Sequence, residues 1–128
     1  MKPKLTLRVL PHELAICRMD SQSPIPEWAQ KSPFFSITRT RTELSIVSEP
    51  GYQPVDSQSE RGWNALAIVG PLEFDLTGIL ASLATPLAAV EIPIFVISTF
   101  DTDIILVKNE QLDTACQTLR TSGHTIIH

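Results

Sequence analysis

Cysteine is close to absent from this 128-residue chain, which has two. Cys17 and Cys116 are far apart and neither belongs to a Cys-x-x-Cys pair. That excludes a disulfide framework, and both are expected to be reduced, buried, small hydrophobes. Histidine is almost as scarce. His12, His124 and His128 show no metal-ligand spacing with one another or with the cysteines, so neither a metal site nor a cofactor is expected. Positive charge is short as well: 10 Lys and Arg stand against 14 Asp and Glu, a net charge of −4. A nucleic acid or an anionic membrane would want a basic face, so neither is expected as a partner. Arg39 and Arg41, in Thr38-Arg39-Thr40-Arg41-Thr42, are too few for a phosphate groove and read as a solvated face.

Long apolar runs are also missing. The longest is broken by Pro93 and polar residues before it nears the roughly 20 residues a spanning helix needs. The start, Met1-Lys2-Pro3-Lys4-Leu5-Thr6-Leu7, has no apolar stretch leading to a small-residue cleavage site. No signal peptide is expected, and the cytosol is the default location. Catalytic signatures are absent too: no Gly-x-Ser-x-Gly elbow, no phosphate-cradling glycine loop, no His-Glu-x-x-His. An enzyme is therefore not the expectation.

What remains is a globular composition, 43% hydrophobic and 19% charged, in a chain long enough for one modest core or two small subdomains. The second half is the more legible. Trp63 to Val69 is short, apolar and rich in strand formers, and Gly70-Pro71 ends it. Asp75 then offers an N-cap. Leu76, Ile79, Leu80, Leu83, Leu87 and Val90 follow at helical spacing. Pro86 falls inside that helix, where it removes the backbone bond to the Ser82 carbonyl and should kink or shorten the last turn. Pro93 to Ser98 and Asp103 to Val107 read as two strands joined by the tight reversal Thr99-Phe100-Asp101-Thr102. Asn109 is placed to cap a second helix carrying Leu112, Ala115, Cys116 and Leu119 on one face, and Gly123 to stop it. His124 to Ile127 is a last short strand. The order is βαββαβ, the split βαβ or ferredoxin-like pattern.

Helices on one side of such a sheet leave its other side open. Yet residues 94–97 and 104–107 are apolar at successive positions, where a one-sided sheet would alternate with polar residues. The free sheet face, or an edge, is expected to pack on the N-terminal part or on a second chain.

The first half is less regular. Leu5 to Leu10 and Leu14 to Met19 read as strands separated by Pro11-His12-Glu13. Ser23 to Ala29 reads as a loop with one helical turn, and Phe34 to Thr38 with Glu43 to Ser48 as a hairpin. Glu49 to Glu60 is a polar, turn-rich connector, which puts a domain boundary near residue 60. This half lacks a convincing second helix and reads as an abbreviated copy of the other.

Two segments carry a resemblance. Ile97-Ser98-Thr99-Phe100-Asp101-Thr102-Asp103-Ile104-Ile105-Leu106-Val107, with Pro86-Leu87-Ala88 before it and Asn109-Glu110-Gln111-Leu112 after it, resembles the ACT-domain group that includes the cytosolic arginine sensors. Ser-Thr-Phe-x-x-Asp is its most specific piece. Phe34 to Thr38, Glu43 to Val47 and Gly51-Tyr52 are similar to the first ACT module of those sensors. The resemblance implies an α+β chain of two tandem ferredoxin-like ACT modules, 1–60 abbreviated and 61–128 complete. It implies a regulatory protein that binds an amino acid or similar small molecule at an interface between modules. Carried over by position, the ligand contacts are Gly78, Ile79, Pro93, Ile94, Thr99, Phe100 and Asp103. The sensors have four modules and this chain two, so a homodimer would be needed to assemble an equivalent interface, and the ligand need not be arginine.

The chemistry of such a site is plain. Unpaired N–H groups at a helix start suit a carboxylate, and a glycine at Gly78 lets a ligand approach the backbone. Asp101 or Asp103 could accept an ammonium. Each has a plainer alternative: Gly78 as a packing glycine, Asp75 as an ordinary cap, the two aspartates as turn residues bonding their own backbone. Phe100 at a turn tip is odd for a solvated loop and could be an anchor or a lid.

Overall fold

The computed structural model describes residues 3–54, 58–70 and 77–128. Asp75 and Leu76 therefore lie outside the described residues. Among the described residues, seven strands and two α-helices follow one another as β1 (Thr6–Met19), β2 (Phe35–Arg39), β3 (Leu44–Ser48), β4 (Gln58–Ile68), α1 (Ile79–Ala89), β5 (Phe95–Ser98), β6 (Asp103–Lys108), α2 (Leu112–Thr121) and β7 (Thr125–Ile127). The chain divides into two compact units, one of Met1–Pro11 with Asn64–His128, the other of His12–Trp63.

In the first unit β4-α1-β5-β6-α2-β7 follows the βαββαβ order. Its strands lie in the order β7-β1-β4-β6-β5. In a plain split βαβ the closing strand would lie beside the opening one. Here the start of β1 is inserted between them and runs parallel to β7, with Thr6 opposite Thr125 and Arg8 opposite Ile127. The reason is in the core. Leu7 is fully buried, with Leu66, Ile68, Ile105 and Val107 from the sheet and Ile79, Leu83, Leu87, Ala115 and Leu119 from the helices. β6 is buried on both faces, since Ile104 and Leu106 are as enclosed as Ile105 and Val107. Apolar residues at successive positions thus mark a strand covered on two sides within a single chain.

Both helices of this unit end in the same hydrogen-bond pattern. In α2 the N–H of Gly123 reaches the Arg120 carbonyl and that of His124 the Leu119 carbonyl, each at 3.0 Å. Gly123 has φ +101°, the left-handed conformation this ending requires. In α1 the N–H of Glu91 reaches Ala88 and that of Ile92 reaches Leu87, again at 3.0 Å. Here the left-handed residue is Glu91, φ +60°. The opening of α2 also departs from expectation. Asn109 does not cap it; a 3₁₀ turn, Asn109–Gln111, leads in, and the N-cap position is Gln111, with no side-chain cap bond.

In the second unit β3 lies between β2 and the end of β1. Phe35 faces Ser48 and Arg39 faces Leu44 in the expected hairpin. Ala15 to Met19 pair antiparallel with Ser48 to Leu44. The one helical turn is a 3₁₀ turn at Glu27–Gln30, and its Ala29 packs with Leu44 and Ile46. The two strands expected to flank Pro11-His12-Glu13 are one strand. Pairing with β7 ends at Arg8 and pairing with β3 begins at Ala15, so the proline sits between them and its missing N–H costs neither ladder a bond. β4 likewise starts at Gln58, five residues before Trp63. Arg39 is exposed, yet its guanidinium donates to the carbonyls of Ser21 and Ser23 and holds that loop against β2.

Candidate functional site

The expected site residues fall on three places in the first unit. The first is the start of α1. Gly78 takes the N-cap position in the left-handed conformation, φ +77°, and its carbonyl accepts the first helical bond, from Ser82 at 3.0 Å. A side chain at Gly78 would meet nothing within 4 Å, so it is the backbone angle, not close packing, that calls for glycine. Among the described residues the first turn has no side-chain cap and no acidic residue, and a helix start carries N–H groups and a positive dipole end that suit an acceptor. Ile79 points into the core, 9% exposed, and could serve a ligand only through its backbone.

The second place is the turn between β5 and β6. It is held by threonines, not by aspartates. The Thr99 N–H donates to the Thr102 carbonyl at 2.8 Å, and the Thr102 N–H donates to Thr99 Oγ1 at 3.1 Å. Thr102 Oγ1 donates to the Ile68 carbonyl at 2.8 Å and so fastens the turn to the C-terminal end of β4. No bond among the described residues engages the carboxylate of Asp101 or Asp103, so neither serves as the turn's own hydrogen-bonding residue. Asp103 is half-buried opposite Ser98, and Phe100 at the tip is 79% exposed.

The third place is the approach to β5. Pro93 is exposed, and Ile94 packs against the helix-side core. The path of the chain separates it from the turn. From Gly78 to Val90 the helix descends about 18 Å at 1.5 Å per residue. From Ile94 to Thr99 the chain returns about 16 Å at 3.3 Å per residue. Gly78 and the Thr99–Asp103 turn therefore share one end of the unit, and Pro93 with Ile94 occupies the other.

A groove of about 450 Å³ runs along α1, lined by Gly78, Ala81, Ser82, Thr85, Pro86 and Ser122 among others. Of the expected contacts only Gly78 belongs to it. Beneath it is a residue the sequence reading passed over. His124 is 5% exposed, accepts the Leu5 N–H on Nδ1 at 3.1 Å, and has Nε2 3.1 Å from the Ser82 carbonyl. That carbonyl is the one Pro86 leaves without a helical donor. In the second unit His12 Nδ1 lies 2.6 Å from Glu49 Oε1, with the Phe34 ring 6.1 Å away. Both cysteines are free and buried, and burial pushes the Cys116 thiol up. Among the described residues no group of three His, Cys, Asp or Glu could hold a metal, and no helix is long and apolar enough to cross a membrane.

This α+β unit places a helix that starts on a left-handed glycine and a hydroxyl-pinned turn at one end of its sheet. The chain belongs to the ACT-domain family, whose model matches residues 58–121; a second model, for an N-terminal domain, matches residues 12–51. It is 40% identical over 88 residues to the cytosolic arginine sensor for mTORC1 subunit 1 of Mus musculus, a match covering 62% of this chain and 27% of that protein. It is similar along most of its length to a crystal structure from Agobacterium tumefaciens, with 39% identity, a TM-score of 0.92, and coverage of 98% of this chain and 93% of that one. The fold also matches the aspartate kinase of Clostridium acetobutylicum at a TM-score of 0.68 and 12% identity, over 95% of this chain and 35% of that one.

Proposed function

We propose that this chain is a small-molecule sensor that binds an amino acid where its C-terminal ACT module meets a module of a second copy. The ligand's carboxylate takes the open N–H groups at Gly78 and Ile79, and its ammonium takes Asp103. Thr99 and Phe100 close over it, and Pro93 and Ile94 contact the partner side. Residues 1–60 act as an abbreviated module and 61–128 as the complete one, working as a cytosolic homodimer without catalysis. One observation supports this above the others. Among the described residues, a half-buried carboxylate with no bonding partner sits at the same end of the unit as a helix start with no side-chain cap. The two charges of a free amino acid suit those two groups.

Thermal-shift screening with the twenty amino acids tests it, followed by titration calorimetry on any hit. A true ligand at a hundred times its Kd adds about 2.7 kcal/mol. Asp103→Ala should abolish that gain and leave the apo melting point within a few degrees. A gain that survives Asp103→Ala, or no gain with any amino acid, removes the reading. A second reading, a protein-interaction module with a vestigial pocket, is favoured by the exposure of Phe100 and of Val69, 79% and 48%. It requires Phe100→Ala to weaken self-association in a chain that binds no amino acid.

A further inference from the structure

We propose that His124 is a protonation-sensitive latch fastening the start of β1 to helix α1. The donors and acceptors around the ring set this behaviour whether or not an amino acid binds. The Leu5 N–H points at Nδ1, so that nitrogen carries a lone pair. The Ser82 carbonyl can only accept, so Nε2 carries the proton and donates to it. The neutral Nε2–H tautomer is thus the one form of the ring that satisfies both neighbours. Pro86 makes the second bond possible: it lacks the N–H that would otherwise occupy Ser82 from within the helix.

A second proton, on Nδ1, sets donor against donor at Leu5. The ring has little room to turn away, because His124 is buried, 5% exposed, and its backbone N–H is fixed to the Leu119 carbonyl at 3.0 Å. Among the described residues no carboxylate bonds to the ring to offset the new charge. α1 has no ionisable side chain. The start of β1 brings Lys4, close to Gly123, and the exposed Arg8; α2 brings Cys116, Arg120 and the exposed Asp113; and His128 follows β7. Protonation therefore releases the Leu5 N–H and keeps the Ser82 bond. Pro3, two residues before Leu5, lines the groove along α1 beside Ser82 and Pro86, while the Leu5 carbonyl keeps its bond from the Thr125 N–H at 2.9 Å. Acidification would loosen one wall of that groove while the helices stay in place.

The test follows two signals in the intact protein by NMR between about pH 8 and pH 5, the range in which an ordinary imidazole titrates. The His124 Hε1 shift reports the ring. Hydrogen exchange at the Leu5 amide, corrected for intrinsic pH dependence, reports the latch. Leu5 exchange should rise about tenfold, the loss of one hydrogen bond, with the midpoint of the ring's own titration, while the Leu106 amide stays protected. His124→Gln keeps an acceptor and a donor but cannot be protonated, and should remove the step. Should that variant fail to fold, His12→Gln and His128→Gln serve instead: the step must persist when either of the other histidines is gone. Leu5 protection that stays flat while the ring titrates overturns the latch. So does a step that survives in His124→Gln, a step lost in His12→Gln or His128→Gln, or a ring that takes no proton before the protein unfolds.

Discussion

Glu91 is a poor residue for the place it holds, and replacing it should stabilise the protein. It closes α1 at the position where Gly123 closes α2, in the same pair of backbone bonds, at φ +60°. A side chain there meets the local carbonyl oxygens, which costs about 1–2 kcal/mol relative to glycine. The extra freedom of glycine in the unfolded chain takes back roughly 0.4–1 kcal/mol. The charge is misplaced too: a carboxylate at the negative end of a helix loses about 0.3–1 kcal/mol. Nothing returns this, because the exposed Glu91 carboxylate has no hydrogen bond or ion pair among the described residues. Glu91→Gly should therefore gain about 1 kcal/mol, or roughly 3–4 °C in Tm for a chain of this size. Two companions separate the causes. Glu91→Gln removes only the charge and should gain about 0.3–0.5 kcal/mol. Glu91→Ala also removes the charge but keeps the β-carbon, so it should fall well short of glycine. Urea unfolding at constant m reads all three. A glycine variant no more stable than the native chain, or one matched by alanine, would refute the reasoning.

Other expectations follow from single residues. His124→Leu strands the Leu5 N–H and the Ser82 carbonyl and should cost about 2–4 kcal/mol in urea unfolding. Pro86→Ala restores a helical donor to Ser82, so the same histidine substitution made in that background should cost about 1 kcal/mol less; strict additivity would mean the two residues do not share that carbonyl. Gly78→Ala should cost about 1 kcal/mol although it clashes with nothing, because the strain is in the backbone, and an unchanged urea midpoint would deny the left-handed start of α1. Burial raises the Cys116 thiol, with Arg120 pulling it back and Asp113 adding to the rise. The folded state thus holds that proton more tightly than the unfolded state. Stability is unaffected below the ordinary thiol range and falls as pH climbs through it toward the folded value. Cys116→Ala should flatten that alkaline limb in a series of urea midpoints, and an unaltered limb would place the titration elsewhere.

How far the chain could be read from its letters depended on where each signal is stored. The hairpin of β2 and β3, the hairpin of β5 and β6, and the face of α2 are written locally, in alternation, turn residues and helical spacing. They are where they were expected. The ending of α2 was legible because glycine announces a left-handed residue; the identical ending of α1 was not, because glutamate announces nothing. The continuity of β1 through Pro11 was hidden for a different reason. Whether a proline breaks a strand depends on which neighbours pair on each side of it, and those neighbours, β7 and β3, both lie far from it along the sequence.

The candidate site was half legible for the same cause. Gly78 and the Thr99–Asp103 turn belong together because helix and strand lengths bring the chain back to its starting level, a sum that sequence permits. The threonine bonds that hold the turn were not foreseen, since Asp101 and Asp103 are equally good turn residues on paper. His124 shows the limit most clearly. That Pro86 must orphan the Ser82 carbonyl follows from the sequence alone. What satisfies it does not, because the donor stands 42 residues away. A buried orphan carbonyl is nonetheless a demand that some group must meet. A proline inside a helix packed on a core therefore amounts to a search instruction for a distant donor, and a buried histidine at the start of a neighbouring strand is a better candidate for that duty than for a metal it has no companions to hold.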